Sequence, residues 1–116
     1  MKKSNLLALL SLAIIINAAL FWGGASAVRA AAIDAKALYS KHCKSCHGED
    51  GKPTDLGAGL EARDFTDANW QSTVTDEKII KQINEGTPEK MMPFKEKLNQ
   101  EEVKALIPII RSFGKK

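Results

Sequence analysis

Cys43-Lys44-Ser45-Cys46-His47 reads C-x-x-C-H, the spacing at which a chain attaches a c-type haem. Two thiols two residues apart can add across the two vinyl groups of one porphyrin. The histidine that follows then sits below the same ring and can ligate its iron. Cys43 and Cys46 are the chain's only cysteines, so the motif uses both. Further downstream Met91-Met92-Pro93 supplies a candidate for the opposite axial position. Iron held between histidine and methionine suits electron transfer, because thioether ligation raises the reduction potential and a filled sixth position leaves no room for substrate.

C-x-x-C alone is a weaker signal, since thiol–disulfide oxidoreductases and zinc half-sites share it. A zinc site would want two more Cys or His ligands, and the remaining histidine, His42, is next to Cys43. A thioredoxin-like enzyme would want a βαβ pattern around the motif, and the sequence shows none.

The first residues read as a targeting segment. Lys2 and Lys3 form a basic start, Leu6 to Trp22 is an apolar run broken by Ser11 and Asn17, and Ala25-Ser26-Ala27 is a small-residue cleavage site. Val28-Arg29-Ala30 offers a second one. The expectation is a signal peptide over 1–32 and one domain over 33–116, with an uncleaved anchor as the alternative. Export suits the motif, because haem is attached to such thiols outside the cytoplasm.

A domain of this size buries a modest core and often needs a staple, which a covalent haem provides. The net charge of +3 belongs to the leader. Without Lys2, Lys3 and Arg29 the basic residues fall from 17 to 14 and equal the 14 acidic ones. No basic stripe with interleaved aromatics argues for nucleic acid.

Helix signals punctuate the rest. Asp34 can cap a helix through Leu38 and Tyr39 towards His42. Glu49 to Leu60, with four glycine or proline breaks, reads as loop. Arg63-Asp64-Phe65-Thr66-Asp67 reads as a turn burying Phe65, and Trp70 follows a short helical stretch. Thr75 caps a helix that puts Ile79, Ile80 and Ile83 on one face and stops at Gly86. Asn99 and Glu102 resemble a capping box opening a last helix through Val103, Leu106, Ile107, Ile110 and Phe113. Pro108 inside it should kink it, at about 3 kcal/mol if nothing compensates. The expected fold is all-α: three to four short helices wrapped round a haem, without strands.

These segments together resemble a class I c-type cytochrome, of the small bacterial periplasmic monohaem kind. The resemblance spans Asp34 to Phe113. It rests on Tyr39 to Gly48, on Arg63 to Asp67 with Trp70, on Glu85-Gly86-Thr87, on Met92-Pro93-Phe94 and on the helix ending Arg111-Ser112-Phe113. It implies one covalently attached haem c per chain, with thioether bonds from Cys43 and Cys46, His47 as proximal iron ligand and Met92 as distal ligand. Met91 is the competitor, with packing as its ordinary role. Family members commonly use a proline carbonyl after the motif to accept the proximal histidine's N–H. Here Pro53 comes early and Gly57-Ala58-Gly59-Leu60 fills the later loop, so the acceptor stays open. The family's last helix usually offers an aromatic to the first helix. Ile109 and Pro108 stand there instead, with Tyr39 as the aromatic that could take part.

Other residues have plainer readings beside functional ones. His42 could be a ligand but reads as exposed. Trp70 could donate to a haem propionate or belong to the core. Arg63 could pair with a propionate or make an ordinary ion pair. Lys95 and Lys97 could steer an acidic partner or simply be solvated. The function these expectations support is a periplasmic one-electron carrier and not an enzyme, monomeric, with transient redox donors and acceptors and membrane contact only through an uncleaved leader. The alternatives are a haem subunit of an oxidoreductase complex and a five-coordinate sensor or peroxidase-like haem.

Overall fold

The computed structural model describes residues 31–115; the expected leader, 1–32, lies outside them but for its last two residues. Asp34 accepts from the Ala37 amide and opens α1 (Ala35–His42). Cys43, at φ −117°, breaks the helical run, and α2 (Lys44–His47) follows as a single turn ending at Gly48. Gly48 holds φ 73°, a conformation that suits glycine, and a Cβ there would strike the Lys52 carbonyl.

The stretch read as loop contains a helix. Thr54 accepts from the Gly57 amide at 3.1 Å and caps α3 (Asp55–Gly59), and this capping bond outweighs the poor propensity of two glycines. Asp67 caps α4 (Ala68–Thr73), and Thr75 caps α5 (Asp76–Glu85) by accepting from the Lys78 amide. Asn99 and Glu102 form the expected capping box of α6 (Gln100–Ser112), and a 3₁₀ turn (Phe113–Lys115) closes the domain. Six α-helices among the described residues thus replace the three or four expected, because α2 and α3 are single turns too short to show a periodicity. The all-α class holds.

Helix α6 runs through Pro108, which lies on its exposed face, where water can solvate the carbonyl left without a donor. The buried faces of α5 (Ile79, Ile83) and α6 (Val103, Leu106, Ile107, Ile110) meet in one core with Tyr39, Phe65, Phe94, Leu98 and Phe113. Helix α1 packs on α6, and the aromatic contact there comes from just beyond the helix: the Phe113 ring lies 5.3 Å from Tyr39. Phe113 therefore takes the place that Ile109 and Pro108 leave empty. The Tyr39 hydroxyl donates to the Gly48 carbonyl at 2.8 Å, which ties α1 to the end of the C-x-x-C-H turn. Burial, then the nearby Cys43 and Asp50, push the Tyr39 phenol well above its usual range, so it stays a donor.

Candidate haem site

His47 is the best-defined part of the site. Its ring stacks on Phe65 at 4.2 Å and 11°, and Phe65 is wedged in turn against Trp70 and Phe113. The Phe65 turn is set by Asp64, whose carboxylate accepts from both the amide and the hydroxyl of Thr66. Those two bonds hold the Asp64 carboxyl below its usual range. His47 Nδ1 lies 3.1 Å from the Arg63 carbonyl. A carbonyl can only accept, so Nδ1 carries the proton and Nε2 keeps its lone pair. Burial lowers the imidazole's pKa against the raising effect of that bond, which keeps the ring neutral and able to ligate.

The acceptor left open by the early Pro53 is therefore Arg63, through its backbone. The expectation for Arg63 concerned its guanidinium, but the site uses its carbonyl. Any residue carries a carbonyl, so no side-chain pattern could mark it.

Cys43 and Cys46 are both free thiols and both half-buried. The one-turn helix α2 brings them to one wall of a cavity of about 470 Å³, together with His47. The methionine segment closes round the same cavity: Met91 and Met92 line it, as do Ile79 and Ile83 of α5 and Phe94. Its volume lies in the range of cofactor sites, about 300–1,000 Å³. Two thiols, a neutral imidazole with a free lone pair and two thioethers facing an apolar cavity fit a covalently held, iron-bearing porphyrin.

The remaining candidates fall as follows. His42 is not exposed as expected. It is half-buried, lines the cavity and packs edge-on against Phe94 at 5.7 Å. Four residues from Leu38, it shares the stripe of α1 that turns to the core. Trp70 stacks on Phe65 and reaches the cavity. Met92 is 57 % exposed, and the Lys97 ammonium lies 3.3 Å from its sulfur. Lys95 and Lys97 are both exposed. Three residues that sequence reasoning passed over also line the cavity. Glu61 and Lys90 form an ion pair between the α3 end and the methionine segment, and Gln82 projects from α5.

A family model described as cytochrome c oxidase, cbb3-type, subunit III matches residues 30–108. The chain belongs to this family: it is a class I c-type cytochrome. The solved structure described as KustC0563 c-type cytochrome is 68 % identical, with a TM-score of 0.69, and the match covers 70 % of this chain and 98 % of that one. A tyrosine-to-phenylalanine mutant of Kustc0563 gives a TM-score of 0.68 at 67 % identity, over 70 % of this chain and 99 % of that one. None of the curated proteins matches the chain. As a c-type cytochrome, the domain binds haem c covalently, with its iron, and serves electron transfer.

One thiol of this cytochrome, that of Cys43, differs from free cysteine. Burial and the neighbouring Cys46 push the Cys43 thiol up to about 11. The thiolate is the reactive form, so at neutral pH the folded site holds Cys43 as the unreactive thiol. In haem-free protein with native helical content, iodoacetamide is expected to label Cys43 slowly at neutral pH and faster as the pH nears 11. Labelling at neutral pH as fast as in denatured chain, read by peptide mass mapping, would show that the fold does not restrain this thiol.

Proposed function

We propose that this cytochrome is an exported, periplasmic one-electron carrier, its haem tethered by Cys43 and Cys46 and its iron ligated by His47 and Met92. The observation that supports this best is a single cavity lined by both cysteines, by His47 with its Nδ1 tied to the Arg63 carbonyl, and by the methionine pair. The bound haem supplies reversible one-electron chemistry at its iron.

The chain's residues account for the rest. Cys43 and Cys46, fixed on one helical turn, set the position of the porphyrin. The Arg63 carbonyl fixes the imidazole plane and raises its basicity by accepting the Nδ1 proton. Phe65 stacks against one face of the ring. Pro93 restricts the backbone directly after Met92, which limits where the thioether can reach. Ile79, Ile83 and Phe94 keep water from the cavity, which disfavours extra charge there and favours the reduced state. A carrier needs no general acid, base or nucleophile, and this reading assigns none.

Exposed Lys95 and Lys97 beside Met92 suit weak, electrostatic docking of an acidic redox donor or acceptor, with the cytochrome itself a monomer. Release must be fast, so a small interface is expected. No described helix is long and apolar enough to cross a membrane; this reading gives the protein membrane contact only if the 1–32 leader stays uncleaved.

The family description favours a second reading, a haem subunit held in an oxidase-type complex. The similar KustC0563 chain is matched over nearly its whole length by this one domain, which favours the free carrier.

The test is the spectrum of the exported protein, oxidised and reduced. Haem that resists acid extraction, a methionine-to-iron band in the ferric state and no carbon monoxide binding by the reduced protein are expected. Haem without that band, or rapid carbon monoxide binding, would overturn His/Met ligation and point to an open iron. Consistent co-purification with oxidase subunits would replace the carrier by the complex subunit.

A further inference from the structure

Met91 and Met92 are adjacent, both line the cavity, and one axial position takes one thioether. The fold treats the two differently. The backbone of Met91 is clamped: the Thr87 amide donates to the Met91 carbonyl at 2.8 Å, and the Met91 amide donates to the Thr87 carbonyl at 2.9 Å. Gly86, at φ 64°, opens this tight turn, and a Cβ there would collide with the Met91 carbonyl. The Met91 side chain is held as well. Gln82 Nε2 donates to Thr87 Oγ1 at 2.8 Å and lies 3.6 Å from Met91 Sδ. A primary amide nitrogen has two hydrogens, one for each acceptor. The hydroxyl bond anchors the amide, and the weaker sulfur contact directs the thioether. Met91 is accordingly half-buried against the core.

Met92 lies outside the Thr87–Met91 bridge. It is largely exposed, and the contact at its sulfur comes from the tip of a lysine, a group free to move away.

We infer that Gln82 is a positioning residue that selects between the two methionines. By gripping Thr87 and the Met91 sulfur from α5, it keeps Met91 as packing and leaves Met92 to the iron. The inference rests on the Met92 ligation proposed above. Gln82 is exposed on a helix, so Gln82→Ala removes the grip without opening the core, and alanine favours the helix. Gln82→Glu keeps the shape, and its carboxylate has no hydrogen to donate.

The experiment uses haem-loaded protein and reads the ferric methionine–iron band beside haem content. Met92→Ala is expected to retain haem and lose the band. Combining it with Gln82→Ala, or with Gln82→Glu, is expected to bring the band back, because the released Met91 takes the vacant position. If Met92→Ala alone keeps the band, the Met92 assignment and the selection by Gln82 both fall. If Met92→Ala loses the band and neither double variant recovers it, the Gln82 role falls while the Met92 assignment stands. Should the double variants fail to load haem, the Gln82→Ala single variant decides. Its reduced NMR spectrum is expected to show two axial-methionine methyl signals, and one signal unchanged from the parent overturns the proposal.

Discussion

Gly57→Val is expected to stop haem-loaded protein from accumulating. Gly57 is buried in α3, where a Cβ would run into the carbonyl of Cys46, one of the two cysteines proposed to tether the haem. The residue is glycine for close approach, not for an unusual backbone angle. That approach is bonded on both sides. The Thr54 amide donates to the Cys46 carbonyl at 3.0 Å, and the Thr54 hydroxyl donates to the Ser45 carbonyl at 2.6 Å. The colliding atoms are backbone, which cannot swing aside as a long side chain can. Overpacking costs about 1–3 kcal/mol where neighbours adjust, and about 3 kcal/mol or more is expected here. Haem per chain and the urea midpoint report the loss. Gly59→Val in the same helix is the control, since nothing lies within 4 Å of its Cβ position. Equal haem loading by both variants would show that the α2–α3 contact does not position the thiols.

Arg111→Ala should cost about 3 kcal/mol, and at about 4–8 °C per kcal/mol for a domain of this size it should lower Tm by about 15 °C. The guanidinium of Arg111, in α6, donates to the carbonyls of Gln71 and Val74 and to the Gln71 side-chain oxygen, at 2.8 to 3.0 Å. It also pairs with Asp76 at 2.8 Å. The Asp76 carboxylate is exposed enough that this pair contributes about 1 kcal/mol at most. The carbonyl bonds matter more, because they leave partly buried acceptors unpaired when the arginine goes. Gln71 in turn donates to the Phe65 and Ile110 carbonyls, and Phe65 stacks on His47. Arg111 thus braces the histidine through two intermediates. Arg111→Lys should recover only part of the loss, since one ammonium cannot reproduce the planar fork. Thermal unfolding of the haem-loaded protein checks both, and a Tm within a few degrees of the parent would mean the network carries little.

Much of this was legible in the chain. The helix starts at Asp34, Thr75 and Asn99 rest on side chains that bond amides three residues on, so local sequence states them. The apolar faces of α5 and α6 repeat at helical spacing and do form the core. The pattern failed where an element is one turn long, as at Asp55–Gly59, since no period fits in five residues. It also failed where the partner is distant in sequence. His42 read as solvent-exposed because its contact, Phe94, lies in another segment.

The sequence by itself determined the chemistry of this protein: which thiols, which imidazole and which thioethers are offered, because side-chain identity and close spacing are enough to say so. Only the tertiary structure decided how they are oriented. Arg63 serves through a carbonyl, which every residue has. Phe113 replaces a missing aromatic from beyond the helix. Gln82 reaches Met91 across a turn. Each is a through-space contact between groups whose sequence neighbours carry no trace of it, and it exists only once the helices have packed.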